Sequence, residues 1–198
     1  MTHLQFWFDV GCPWTWLTSE WVRQIAPVRG IDVRWRVYSL TMRSLGDAEP
    51  EPGKSFTLGA ARVLEAVWAH HGDAAVGALY EHIGRAVHVD KQERGPLLVA
   101  AALRDVGLDA AYADAADDAR WDGAVRASMK EADTLAGADV AVPVLAIGED
   151  PVRALSGPVL SENLPLDRAL AVWDAVAALA AEPTFFELKR SRSVDPAI

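Results

Sequence analysis

The order in which hydrophobic periods follow one another constrains this chain most. Leu4 to Val10 reads L-Q-F-W-F-D-V, an apolar, aromatic run of strand length that stops at Gly11. From Cys12 to Ala26 the period changes, with Trp14, Leu17, Trp21 and Ile25 at helical spacing. Pro13 stands near the start of that segment, where a helix needs no N–H. Gly30 closes the helix. Asp32 to Leu40 then alternates, turning Val33, Trp35 and Val37 inward and Arg34, Arg36 and Tyr38 outward. A strand, a helix and a strand in that order predict a parallel pair joined by a crossover helix.

The β signal returns only at Val140 to Ile147. There A-V-P-V-L-A-I precedes the acidic turn Gly148-Glu149-Asp150-Pro151 and a short strand from Val152 to Leu155, a predicted hairpin. Between the two β regions, Arg43 to Lys54 is a connection rich in Pro, Gly and acids. The stretch from Thr57 to Leu135 carries amphipathic patterns enough for four or five helices, most clearly Val76, Leu79, Tyr80, Ile83 and Val87. Pro165 opens a last helix that places Leu166, Leu170, Trp173 and Ala177 on one face and ends before Pro183. This order predicts an α/β chain, a thioredoxin fold with an inserted all-helical domain. Its thioredoxin-fold domain covers residues 1–42 and 138–198, and the helical insertion domain covers 43–137.

With 198 residues the chain is sized for one domain, or one with a substantial insertion. A formal charge of −9 repels phosphate backbones and anionic lipid, which argues against nucleic acid or a membrane as partner and for a small molecule. No apolar run reaches membrane-spanning length, and Met1-Thr2-His3 enters the first strand without a signal-peptide start, so the expected compartment is the cytoplasm. Cys12 is the only cysteine, which excludes an intrachain disulfide. His70-His71 and the pair His82 and His88 lack ligand spacing, so no metal is expected.

Two residues point to chemistry. A thiol at the first turn of a helix meets unpaired N–H groups and the positive end of the helix dipole, which favour the thiolate; the bland reading of Cys12 is a small buried hydrophobe. Pro143, inside an apolar strand, cannot give an N–H to the ladder, which fits a cis Val142–Pro143 bond or an ordinary strand-start proline. Trp14 is placed to border a planar substrate, whereas Trp16 and the other indoles read mainly as core. The basic run Lys189-Arg190-Ser191-Arg192 follows Phe185 and Phe186, whose bulk suggests a tail pinned against the body. There its arginines would face a carboxylate of a small-molecule cofactor or another subunit. Asp9 fits either a proton acceptor or a strand-end cap, and no role is assigned to it.

F-W-F-D-V-G-C-P-W-T-W-L-T-S, Phe6 to Ser19, resembles the C-P-W-C active-site segment of DsbA-like thiol oxidoreductases. Ser39-Leu40, G-P-V-L-S at Gly157 to Ser161 and the tail Phe185 to Ser193 resemble the mycothiol-dependent nitroreductases of actinobacteria. The resemblance implies a cytoplasmic oxidoreductase whose cofactor is the low-molecular-weight thiol mycothiol and whose substrate is a small disulfide or nitroaromatic compound. It makes Cys12 the nucleophile. It also brings Pro13, Trp14, Val142 and Pro143 to the bound thiol, with the backbone before the cis-proline pairing to it. Thr15 stands where the family has a resolving cysteine, so only a monothiol route is open, in which Thr15 could donate a hydrogen bond to the thiolate. Two other readings stand beside this one. One is a thiol transferase or isomerase of the kappa class; the other is a non-catalytic binding protein that kept the fold. A homodimer is left open.

Overall fold

The computed structural model describes residues 2–46, 48–50 and 53–198. Met1 and part of the acid-rich connection, namely Asp47, Glu51 and Pro52, lie outside the described residues. Strand β1 (Thr2–Phe8) leads to helix α1 (Pro13–Arg29) and strand β2 (Ile31–Val37). A mainly helical stretch follows: α2 (Leu40–Leu45), α3 (Phe56–Gly84), a π-helical turn (Arg85–Val89), α4 (Pro96–Asp105), 3-10 segments at Ala110–Asp117 and Ala119–Trp121, and α5 (Asp122–Ala136). Strands β3 (Val144–Ile147) and β4 (Arg153–Ser156) and helix α6 (Leu166–Ala181) complete the chain. The sheet order is β2-β1-β3-β4, with β1 parallel to β2 and antiparallel to β3, and with β3 and β4 paired antiparallel as the expected hairpin.

Several elements end elsewhere than the sequence pattern predicts. Helix α1 continues a turn past Ala26 through Pro27 and stops at Gly30, whose left-handed φ of 62° lets its N–H reach the Ala26 carbonyl. Strand β2 stops at Val37 rather than Leu40, because the Ser39 hydroxyl accepts the Met42 N–H and caps α2. Strand β3 begins at Val144 rather than Val140. Pro143 has no N–H for the ladder, and the carbonyls of Ala138 and Val140 bond the Arg43 guanidinium instead. Between α4 and α5 the acid-rich segment forms 3-10 turns, since Asp109 and Asp118 take the N–H groups two residues on, at 2.9 and 3.0 Å.

Both faces of the sheet are covered, and this overturns the predicted outward position of Tyr38. Phe6, Phe8 and Trp35 turn to one face, where α1 and the second half of α3 pack. Trp7 turns to the other and donates its indole N–H to the Ser128 carbonyl of α5 at 3.0 Å. On that face Tyr38 is buried, its hydroxyl taking a 2.7 Å bond from Arg43, while Arg36 pairs with Glu131 at 2.6 Å. One continuous apolar core joins the sheet to the helical stretch. Helix α3 bends at Gly72, where φ is 76°, a value that costs glycine nothing. Beyond the bend two glycines let it close in. The Cβ that Gly77 lacks would stand 2.4 Å from the Trp35 ring, and that of Gly84 2.4 Å from the Trp16 ring. Among the described residues no helix is long and apolar enough to cross a membrane.

Candidate active site

Cys12 is the N-cap of α1, in extended backbone with φ −84° and ψ 112°. It is partly exposed, and its side chain caps no N–H of its own helix. Pro13 occupies the first helical position with its preset φ. The loop that presents Cys12 is held from below by Asp9, which is 4% exposed. One Asp9 carboxylate oxygen accepts the Gly11 N–H at 2.7 Å, and the other accepts the Leu40 N–H at 2.7 Å. The Cys12 N–H adds a 3.2 Å bond to the Asp9 carbonyl. Burial pushes the Asp9 carboxyl above its ordinary value, against the pull of these N–H groups and of the Arg94 charge. Gly11 is packed so tightly that a Cβ there would meet the Thr57 methyl at 2.5 Å.

Thr15 lies one turn along α1, and positions three apart share a helix face. It is fully buried, and its hydroxyl finds no hydrogen-bond partner. An unpaired hydroxyl in the interior costs about 1–3 kcal/mol, so the position carries a polar atom at the expense of stability. Trp14 is half-buried at the site surface, whereas Trp16 is 2% exposed and can meet no substrate.

Val142 and Pro143 precede β3, whose first residue pairs with Trp7. They therefore sit at the end of the sheet where β1 delivers Cys12. The Val142–Pro143 bond is cis, as are Asp150–Pro151 and Gly157–Pro158. Hydrogen bonds connect this corner to α1. The Gly157 N–H donates to the Pro143 carbonyl at 2.8 Å, and the Thr18 hydroxyl lies 2.9 Å from the Pro158 carbonyl and 3.0 Å from that of Trp14. All the residues expected at the site thus lie at one end of the sheet.

The helical stretch supplies residues that the sequence reading passed over. His88, in the π-helical turn, is buried and stacks on Trp16 with a centroid distance of 5.9 Å. Its Nε2–H donates to the Val10 carbonyl at 2.8 Å, which fixes the tautomer because a carbonyl can only accept. Burial, aided by the charges of Arg94 and Lys91, holds this imidazole below its ordinary value and so neutral at pH 7. The spacing of the histidines bears on metal binding alone, and the contact of His88 with Val10 leaves no trace in it; among the described residues no group of three or more candidate metal ligands exists. Thr41, Ser55 and Thr57 form a triangle of hydroxyls 3.0 to 3.2 Å apart near Gly11. A groove of about 540 Å³ lies elsewhere, lined by His71, Tyr112 and Trp121 among others, and no residue of the Cys12 motif borders it.

The C-terminal tail is tied to the body differently from the expectation. Of the two rings expected to pin it, Phe185 is partly buried and Phe186 is 86% exposed. Arg192 rests on the Trp14 ring instead, 4.9 Å from its centroid, and the Ala197 N–H bonds the Ser161 carbonyl at 2.8 Å.

Residues 11–190 match the family model of Rv2466c-like proteins, described as mycothiol-dependent nitroreductases. An uncharacterized protein of Mycobacterium tuberculosis, Rv2286c, is 30% identical over 98% of this chain and 84% of its own length. Among solved structures, a probable DsbA oxidoreductase from Streptomyces coelicolor, SCO1869, superposes with a TM-score of 0.62 at 19% identity, covering 98% of this chain and 95% of that one. The cytosolic disulfide reductase DsbM from Pseudomonas aeruginosa gives 0.58 at 17% identity, with 89% and 99% covered. A 2-hydroxychromene-2-carboxylate isomerase gives 0.62 at 15%, with 89% and 95% covered. At these identities the likeness is one of fold, the DsbA-like thioredoxin fold.

Proposed function

This chain belongs to the Rv2466c-like family of mycothiol-dependent nitroreductases, thiol-dependent oxidoreductases by kind, and from that premise we propose that it is a cytoplasmic monothiol enzyme in which Cys12 does the chemistry. The observation that carries the reading is the placement of the partly exposed Cys12 at the α1 N-terminus, at the end of the sheet that also holds the cis Val142–Pro143 bond. The buried hydroxyl of Thr15, one turn on, meets the thiolate only if the Cys12 side chain turns toward it, since the two make no hydrogen bond here.

The bound thiol, mycothiol, supplies a sulfur that can form and release a mixed disulfide. The hydroxyls of Thr41, Ser55 and Thr57 stand near the Cys12 loop and offer hydrogen bonds to the polar part of such a molecule. With a disulfide substrate, the Cys12 thiolate attacks one sulfur, the S–S bond breaks, and the other sulfur leaves as thiolate with the bonding pair. With a nitroaromatic substrate, Cys12 and one external thiol together give up two electrons and two protons. They become a mixed disulfide as the nitro group becomes nitroso and water. A second thiol then attacks the external sulfur and returns Cys12. Pro13 presets the start of α1, Trp14 forms a wall of the site, and the Val142 backbone before Pro143 faces the bound thiol. Asp9 and His88 hold the loop.

The test is the intact mass of the protein after exposure to oxidised mycothiol, with oxidised glutathione and Cys12→Ser alongside. One adduct that needs Cys12 and prefers mycothiol is expected. No adduct with either disulfide overturns the mechanism.

A further inference from the structure

Trp14 borders the site, and its ring carries the Arg192 guanidinium, whose Cζ is 4.9 Å from the ring centroid. At that distance the guanidinium lies over the indole as a cation–π contact. Its N–H donors, which lie in the guanidinium plane, stay free to meet an anion. Arg192 is exposed, and among the described residues no carboxylate stands within ion-pair distance of it. Arg23, Arg29, Arg34, Arg36, Arg62 and Arg120 have acidic partners, and Arg192 is among the arginines left open to an anion. More positive charge comes from the helical stretch. Arg94 acts on Asp9 and His88, and Lys91 acts on His88. Two cations of the helical stretch thus act on residues that hold the Cys12 loop.

We infer that Arg192 and Trp14 together form a specificity element that selects aromatic substrates carrying a carboxylate or sulfonate, the ring bordering Trp14 and the anionic group meeting the guanidinium. The inference rests on Cys12 as the attacking thiol. It assigns a role to the basic tail, which reaches the motif because it is tethered at Ala197.

The experiment compares two aromatic disulfides, the dianionic dithiobis(nitrobenzoate) and the uncharged dithiodipyridine, at mildly alkaline pH. Each reacts with Cys12 by the same step: the thiolate attacks one sulfur, the S–S bond breaks, and a coloured arylthiolate leaves with the bonding pair. The readout is the ratio of the two second-order rate constants. Arg192→Gln is expected to lower the anionic-to-neutral ratio about two- to fivefold, the worth of an exposed ion pair, and added salt to shrink the difference. Lys189→Gln, a charge change in the same tail away from Trp14, is expected to move the ratio less. A ratio in Arg192→Gln equal to that of the parent, or a drop matched by Lys189→Gln, overturns the inference while leaving Cys12 as nucleophile. If neither disulfide labels Cys12 in the parent, the oxidoreductase reading falls and this inference falls with it.

Discussion

Thr15 and Asp9 show two ways in which a buried polar side chain serves a site. Asp9 has its hydrogen-bonding capacity filled by backbone N–H groups, and the result is a rigid loop. The Thr15 hydroxyl makes no hydrogen bond. Replacing Thr15 by valine removes the orphan hydroxyl with little change of shape. Thr15→Val is therefore expected to stabilise the fold by about 1 kcal/mol, read as a higher urea midpoint, while slowing mixed-disulfide formation at Cys12 by about tenfold. A variant that is more stable and equally fast would remove Thr15 from the mechanism. The C-P-W-T spacing was legible in the sequence, and so was the suggestion that Thr15 bonds the thiolate. That its hydroxyl lacks an internal partner depends on the packing around α1.

Helix α3 carries a different polar burden. Glu65 is 5% exposed, facing Arg36 of β2 and Glu131 of α5, and burial lifts its carboxyl from 4.5 to about 7; the Arg36 charge lowers it and the Glu131 charge raises it further. With the folded value above the unfolded one, the unfolded chain loses this proton first. Stability is then greatest below pH 4.5 as far as this group is concerned, and it falls as pH rises through the window to about 7. The full effect is about 3 kcal/mol. Glu65→Gln is expected to remove that slope, so the variant gains on the parent in urea unfolding at pH 8 far more than at pH 5. Parallel profiles would show that Glu65 ionises freely in the fold. A heptad-like pattern marks α3 as a helix, but a charged residue on its inner face reads as an exception until β2 and α5 are in place.

Across the whole molecule, the helical stretch meets the sheet side through glycine–indole contacts, Gly77 on Trp35 and Gly84 on Trp16. The second contact leads to the site, since Trp16 stacks on His88 and His88 holds the Val10 carbonyl. Alanine favours a helix over glycine by about 1 kcal/mol, yet the ring beside Gly84 is buried and has nowhere to go. Gly84→Ala is expected to cost about 1–3 kcal/mol of stability and to change the labelling rate of Cys12. If the variant unfolds at the parent's denaturant midpoint with an unaltered labelling rate, the two parts are not coupled through Trp16.

The sequence by itself determined the order of elements, the placement of one thiol at a helix start and the helical stretch between two β regions. Period and punctuation are local properties, carried by residues within a turn or a strand of one another. Only the tertiary structure decided which face of β2 was solvent, because α5 covers the side on which Tyr38 and Arg36 project. It alone brought Asp9 to Leu40, His88 to Val10 and Arg192 to Trp14. Each of those contacts joins residues far apart along the chain. Their pairing is set by where helices pack on the sheet, which no local pattern encodes.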